Sequence, residues 1–252
     1  MTFGTVDGVG PDGELGDDTT VTPVLGHPFG PLEPAGPPVA FADVRLLAPV
    51  LPSKIIAVGK NYAAHAAEMG GDVPLEPMIF LKPSTSVVGP GDRIDLPPQS
   101  EQVEHEAELA IVIGRLCSQV PPRRVNEVIL GYTCANDITA RDLQKSDGQW
   151  GRAKGFDTFC PLGPWIVTDV DASDLVITGR VNGQVRQDAR TSDLVFGVES
   201  LVAWISQVMT LLPGDIILTG TPAGVGPLVE GDSVSVSISS IGTLTNRVVT
   251  RD

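Results

Sequence analysis

With 252 residues, 42% of them apolar, the chain is long enough to close a sizeable core, and its composition excludes a disordered tail or linker. Seventeen basic against 31 acidic residues leave a net charge of −14, which repels phosphate backbones and anionic lipid heads and sets aside nucleic acid and membranes as partners. No uninterrupted apolar run approaches the ~20 residues that would span a bilayer.

The opening "MTFGTVDGVGPDGELGDD" has neither a basic n-region nor an apolar h-region, so the expected compartment is the cytoplasm. "FGTVDG" and "TTVTPVLG" read as short strands, and the Pro/Gly-rich "HPFGPLEPAGPP" that follows sustains neither a helix nor a central strand. Residues 1–52 are therefore expected to form a small N-terminal β domain and tether, and residues 53–252 a second, β-rich domain. "GVGPDG" at Gly8–Gly13 matches a dinucleotide-binding fingerprint by letter only, because Pro11 and the acidic stretch after it do not open a helix.

From Ser53 onward the chain is a series of short β-branched runs, "KIIAVG", "MIFLKP", "ELAIVIG", "LVITGRV", "DIILTG" and "SVSVSI", separated by Gly and Pro. Helical spacing is expected only in "NYAAHAAEM", "RRVNEVI" and "GVESLVAWISQVM". In the first of these, His65 precedes Glu68 by three residues, which puts both on one helix face. A carboxylate beside an imidazole raises its basicity and yields a general base near neutral pH; the same spacing also describes a surface ion pair on a short helix.

The segment "VEHEAELAIVIG" places Glu104, Glu106 and Glu108 at alternate positions just before an apolar run. In a strand, Glu106 and Glu108 share a face about 6.6 Å apart, while Ala107, Leu109 and Ile111 face the other way. Two carboxylates at that range repel by roughly 2 kcal/mol at an effective dielectric near 20, and a cation between them removes the repulsion. Hard oxygen donors without nearby Cys or His suit Mg²⁺, Mn²⁺ or Ca²⁺, although a solvated acidic start to an edge strand has the same letters. His105 is expected on the opposite face, packed or hydrogen-bonded. Further on, Asp137 ends the apolar run "ILGYTCAN", where it either supplies a third carboxylate or caps the segment "ITARDLQ". Asn182-Gly183 is a hairpin turn signal, since a type I′ turn needs φ > 0 at both central residues. Cys117, Cys134 and Cys160 are widely spaced without a CxxC pair and read as reduced core residues.

"GKNYAAHAAEM", "PMIFLKPSTSVVGPGD", "VEHEAELAIVIG", "NDITARDLQ", "KGFDTFCPLGPW" and "LTGTPAGVG" occur in the order and spacing of the fumarylacetoacetate hydrolase family, which the chain resembles from about Ser53 to its C-terminus. The resemblance implies a mainly β fold with a few short helices, a mixed β-sandwich roll in which residues 53–252 are the catalytic domain. It implies a cation, Mg²⁺ or Mn²⁺ with Ca²⁺ also compatible, held by Glu106, Glu108 and Asp137, and a His65–Glu68 dyad on a mobile lid. Lys154 is expected to act in catalysis, Lys82, Arg141 and Gln144 to contact substrate, and the "TGTPAGVG" loop to offer the hydroxyls of Thr219 and Thr221 to an anionic group. The chain looks like the bacterial two-part members, which are usually dimeric, so a homodimer is expected. Relatives usually have a longer first strand, so the start is read as truncated or misassigned.

The activities this resemblance implies act on 2-oxo or 2,4-diketo acids by stabilising enolate charge. Isomerisation of 2-hydroxyhepta-2,4-diene-1,7-dioate and C–C hydrolysis of acylpyruvates, both in the breakdown of aromatic compounds, are the leading expectations. Oxaloacetate decarboxylation and a non-catalytic metal- or ligand-binding role are the alternatives.

Overall fold

The computed structural model describes residues 2–251. Its centre is a seven-stranded sheet in the order Met78–Lys82, Ile55–Gly59, Ile216–Leu218, Ala107–Ile113, Ile129–Asn136, Cys160–Val167 and Val87–Val88. The Ala107–Ile113 strand lies in the middle and is buried along its whole length. It reads as an unbroken apolar run after Glu108 because both of its faces are covered. On one face Leu109, Ile111 and Ile113 meet Ile177, Val236 and Leu244 of a second sheet, together with Leu201 and Ile205. On the other, Ala110 and Val112 meet Ile55, Ala57, Leu162 and Val50. Each such fully buried aliphatic side chain contributes about 1.5–3 kcal/mol.

The second sheet has five strands, in the order Gln184–Arg190, Val176–Val181, Ser233–Ile238, Gly242–Thr250 and Arg93–Leu96. Asn182 and Gly183 turn its first hairpin at φ 51° and 77°, the left-handed pair that the sequence calls for. A small three-stranded sheet of Thr139–Ala140, Val103–His105 and Gly226–Pro227 bridges the two layers. At the N-terminal end Phe3–Val9 pairs with Leu15–Leu25, and Glu33–Pro34 and Val39–Ala40 add two-residue edges, which is as much strand as the proline-rich stretch supports. No helix among the described residues is long and apolar enough to cross a membrane.

Four α-helices are present: α1 (Ala63–Glu68), α2 (Arg141–Asp147), α3 (Gly151–Lys154) and α4 (Val198–Val208). The first and last lie within expected segments. "RRVNEVI" instead forms a 3-10 helix over Pro122–Glu127, entered through Pro121 and Pro122. Helices α2 and α3 are not expected from periodicity. Both are too short to show a full apolar stripe, and α2 starts from Ala140 with no side-chain cap. Asp137 is therefore not a helix cap. Cys134 and Cys160 are buried and free, whereas Cys117 is only partly buried, a departure from the expected core position.

Candidate active site

The buried carboxylates come together where the three-stranded sheet meets the central one. Glu106 joins two strands, Glu108 is the second residue of the central strand, and Asp137 follows the Ile129–Asn136 strand directly. The Ala107–Asn136 pairing sets these residues side by side, and the Asn136 side chain and Asp137 N–H lock the register: Glu106 N–H donates to Asn136 Oδ1 (2.9 Å), and Asp137 N–H donates to the Glu106 carbonyl (2.9 Å). One oxygen from each of Glu106, Glu108 and Asp137 lies within 4.8 Å of the others, and all three side chains are buried. Three hard oxygen donors converging without a neutral ligand fit a divalent cation of the Mg²⁺ or Mn²⁺ class.

Cationic side chains surround this cluster. Lys154 Nζ donates to Glu106 Oε2 (2.7 Å) and Asp137 Oδ2 (2.6 Å), and lies 5.0 Å from the Phe80 ring centroid. Lys82 takes the other Asp137 oxygen and the Ile138 carbonyl. Arg141 bridges Glu104 (Nε to Oε2, 2.7 Å) and Glu106, and donates to Gln144 Oε1 (2.6 Å). Glu108 is left with the Gly220 N–H, which donates to its Oε2 at 2.6 Å. The two glutamates are accordingly driven apart. Burial raises the Glu106 carboxyl, but Lys154, Arg141 and His65 outweigh it and hold the group well below the usual carboxylate range. Burial together with Asp137 and Glu106 pushes Glu108 well above that range. Burial opposes the charge on Lys154, yet Asp137 and Glu106 raise its value all the same.

His65 and Glu68 face this cluster from α1. His65 Nδ1 is 3.0 Å from Glu68 Oε2, and the imidazole is only 6% exposed, so the pair is not a surface ion pair. A carboxylate only accepts, so Nδ1 carries the proton and Nε2 is left as the proton acceptor. Glu68 is itself fixed, since its Oε1 accepts from the Gly224 N–H at 2.9 Å. The helix is thereby seated against the 219–224 loop, with Ala66 wholly buried.

One cavity of about 180 Å³ collects His65, Glu106, Glu108, Asp137, Arg141, Gln144, Lys154 and Thr221 on its lining, together with Lys60, Lys145 and an apolar wall that includes Phe80 and Trp150. Lys82 and Thr219 are not on it. Lys82 stands behind Asp137, and the Thr219 hydroxyl donates to the Leu109 carbonyl (3.0 Å). Thr221 lines the cavity, but its hydroxyl is likewise committed, donating to the Ala107 carbonyl at 2.9 Å. These hydroxyls satisfy carbonyls of the central strand, and the expectation that both face an anionic ligand is corrected accordingly. Asp142 is structural: it accepts from Ser100 Oγ, Glu101 N–H and Leu143 N–H.

Sequence reasoning missed Gln187 and Asn61, both fully buried. Gln187 Oε1 accepts from Ala107 N–H (2.9 Å) and lies 3.1 Å from His105 Nδ1, while its Nε2 donates to Thr221 Oγ1 and the Pro222 carbonyl, both at 2.7 Å. Asn61 ties the Val195–Phe196 backbone to the Thr219 carbonyl. The side chains of both residues act across long sequence separations, which leave no local pattern. A buried Asn next to the helical segment that carries His65 was the one available signal.

Residues 54–249 match the model of the fumarylacetoacetate (FAA) hydrolase C-terminal domain. The chain belongs to that family. Residues 1–49 match a second model, the Rv2993c-like N-terminal domain. Among solved structures, the chain is similar to a 5-carboxymethyl-2-hydroxymuconate delta-isomerase from Mycobacterium smegmatis, with 56% identity, a TM-score of 0.90, and coverage of 99% of this chain and 95% of that one. It is also similar to a maleylpyruvate hydrolase from Sphingobium sp. SYK-6, solved with manganese(II) and pyruvate, with 40% identity, a TM-score of 0.75, and coverage of 86% and 78%. The mitochondrial oxaloacetate tautomerase Fahd2a of Rattus norvegicus is 46% identical over 225 residues, which are 84% of this chain and 72% of that protein. Isomerases, hydrolases and tautomerases are thus all among the relatives of this chain.

Proposed function

We propose that the protein is a divalent-cation-dependent enzyme of 2-oxo and 2,4-dioxo acids, acting as a 2-hydroxyhepta-2,4-diene-1,7-dioate isomerase or an acylpyruvate C–C hydrolase in the breakdown of aromatic compounds. The observation that carries this reading is the convergence of three buried carboxylates on one cavity with a histidine whose free nitrogen is an acceptor. Glu106, Glu108 and Asp137 would hold Mg²⁺ or Mn²⁺, which when bound supplies Lewis-acid stabilisation of enolate charge. His65, oriented through Nδ1 by Glu68, takes a proton at Nε2, from a water in hydrolysis or from the substrate carbon in isomerisation. Lys154 sits beside the carboxylates as a fixed positive charge for the oxyanion. Arg141 and Gln144 hold each other on the cavity wall and are proposed to position the substrate carboxylate.

Two of the structural relatives act on unsaturated acids of this type, which supports the reading. The rat relative favours oxaloacetate tautomerisation as a second reading, since enolisation needs the same proton acceptor without an activated water. Incubating the protein with Mg²⁺ or Mn²⁺ and each of an acylpyruvate, oxaloacetate and the dienedioate, with products followed by proton NMR, separates these outcomes. Turnover of none of them would leave the non-catalytic binding role in place. The proposed assembly is a homodimer, and light scattering on the eluting protein should return twice the monomer mass.

A further inference from the structure

Resting on that reading, the cavity also carries information about the far end of the substrate. Arg141 and Lys154 are each engaged by two carboxylates. The remaining ammonium groups on the lining are Lys60 and Lys145, and neither pairs with a carboxylate among the described residues. Acidic residues outnumber basic ones 31 to 17 in this chain, so Lys60 is held where none of that excess reaches it.

The local structure around Lys60 is built for it. Its φ is 56°, a left-handed conformation that costs a lysine about 1–2 kcal/mol and persists only where the surroundings fix it. The fully buried Asn61 clamp supplies that fixation. On one side Gly59 has no Cβ; one there would stand 2.7 Å from the Trp150 ring, which packs edge-on against Phe80 with centroids 5.2 Å apart. On the other, a Cβ on Gly71 would collide with Lys60 Nζ. Two glycines thus make room for an indole and an ammonium in the same corner of the cavity, where Val58, Met69, Phe80 and Trp150 offer an apolar wall.

We propose that Lys60, assisted by Lys145, binds a second carboxylate of the substrate, so that the site prefers 2-oxo diacids with a short hydrocarbon spacer over acids ending in a methyl group. The spacer lies along the apolar wall, and the ammonium supplies charge-assisted hydrogen bonds that a methyl end cannot accept.

The test is calorimetric titration of the full-length, Mg²⁺-loaded protein with 2-oxoadipate and with 2-oxohexanoate, which differ only in the distal group. Wild-type protein should bind the diacid at least about tenfold more tightly. That ratio should fall towards one in Lys60→Met and return in Lys60→Arg. A ratio near one in the wild type, no binding of 2-oxoadipate, or a ratio unchanged by Lys60→Met overturns the proposal. A ratio near one with acylpyruvate turnover intact removes this inference and leaves the proposed reaction standing, whereas a tenfold ratio without any turnover does the reverse.

Discussion

Gln187 reaches from the second sheet to His105, its Oε1 lying 3.1 Å from the imidazole Nδ1. The same oxygen accepts from Ala107 N–H, so one side chain holds the residues on both sides of Glu106, and its Nε2 secures the loop that carries Thr221. Burial lowers the His105 pKa, which suits a neutral ring donating to an amide oxygen. Gln187→Leu would strand several buried polar groups at about 1–3 kcal/mol each. A loss of at least about 3 kcal/mol is expected, lowering Tm by roughly 6–12 °C in a thermal melt. Mn²⁺ affinity should fall by about 10–100-fold, the usual cost of removing a residue that orients a ligand.

Much of this arrangement was legible in the sequence because it is local. Glu106 and Glu108 share a face because a strand alternates, and His65 meets Glu68 because a helix turns in about 3.6 residues. The hairpin at Asn182-Gly183 is legible for the same reason. What the sequence hides is what long-range pairing decides. Lys82 and Lys154 both look like substrate-facing lysines, yet one stands behind Asp137 and the other on the cavity wall. The hydroxyls of Thr219 and Thr221 look free until the central strand is placed beside them with carbonyls to satisfy. Lys60 in a left-handed conformation has no sequence signature, because glycine is the residue that normally marks one.

Cation removal should act through Glu108. Without a cation, its folded-state pKa stands above the unfolded value. That contribution to stability is fully present below the ordinary carboxylate range and is lost as pH rises through the raised value. A cation replaces the proton, so binding should release protons and tighten with increasing pH. Thermal melts in EDTA and in excess Mg²⁺ should therefore diverge more at pH 8 than at pH 5. Equal separation at both would argue against Glu108 as a ligand. Activity should vanish in EDTA and return with Mg²⁺ or Mn²⁺.

Lys154→Met tests the internal counter-charge. The Lys154 ammonium is buried between Glu106 and Asp137, and removing one partner of a buried pair typically costs about 3–5 kcal/mol. The loss is expected mainly in the cation-free protein, where Glu106 and Asp137 would face each other with less compensation. Added Mg²⁺ should recover more stability in the variant than in the wild type, although turnover stays low.

His65 and Glu68 separate binding from chemistry. His65→Ala removes the acceptor nitrogen but leaves Glu106, Glu108 and Asp137 in place, so Mn²⁺ affinity should change little while acylpyruvate hydrolysis falls by about 10²–10⁴-fold. Glu68→Gln is subtler. Its side-chain oxygen can still accept from Gly224 N–H or from His65 Nδ1, but the charge that favours an imidazolium is gone. The imidazole pKa should drop, and the acidic limb of the kcat/KM profile should move to lower pH along with a reduced maximum. A variant that loses only helix packing would lower the maximum without moving that limb. If Glu68→Gln leaves the profile where it was while His65→Ala abolishes turnover, Glu68 holds α1 against the 219–224 loop and does not tune the base.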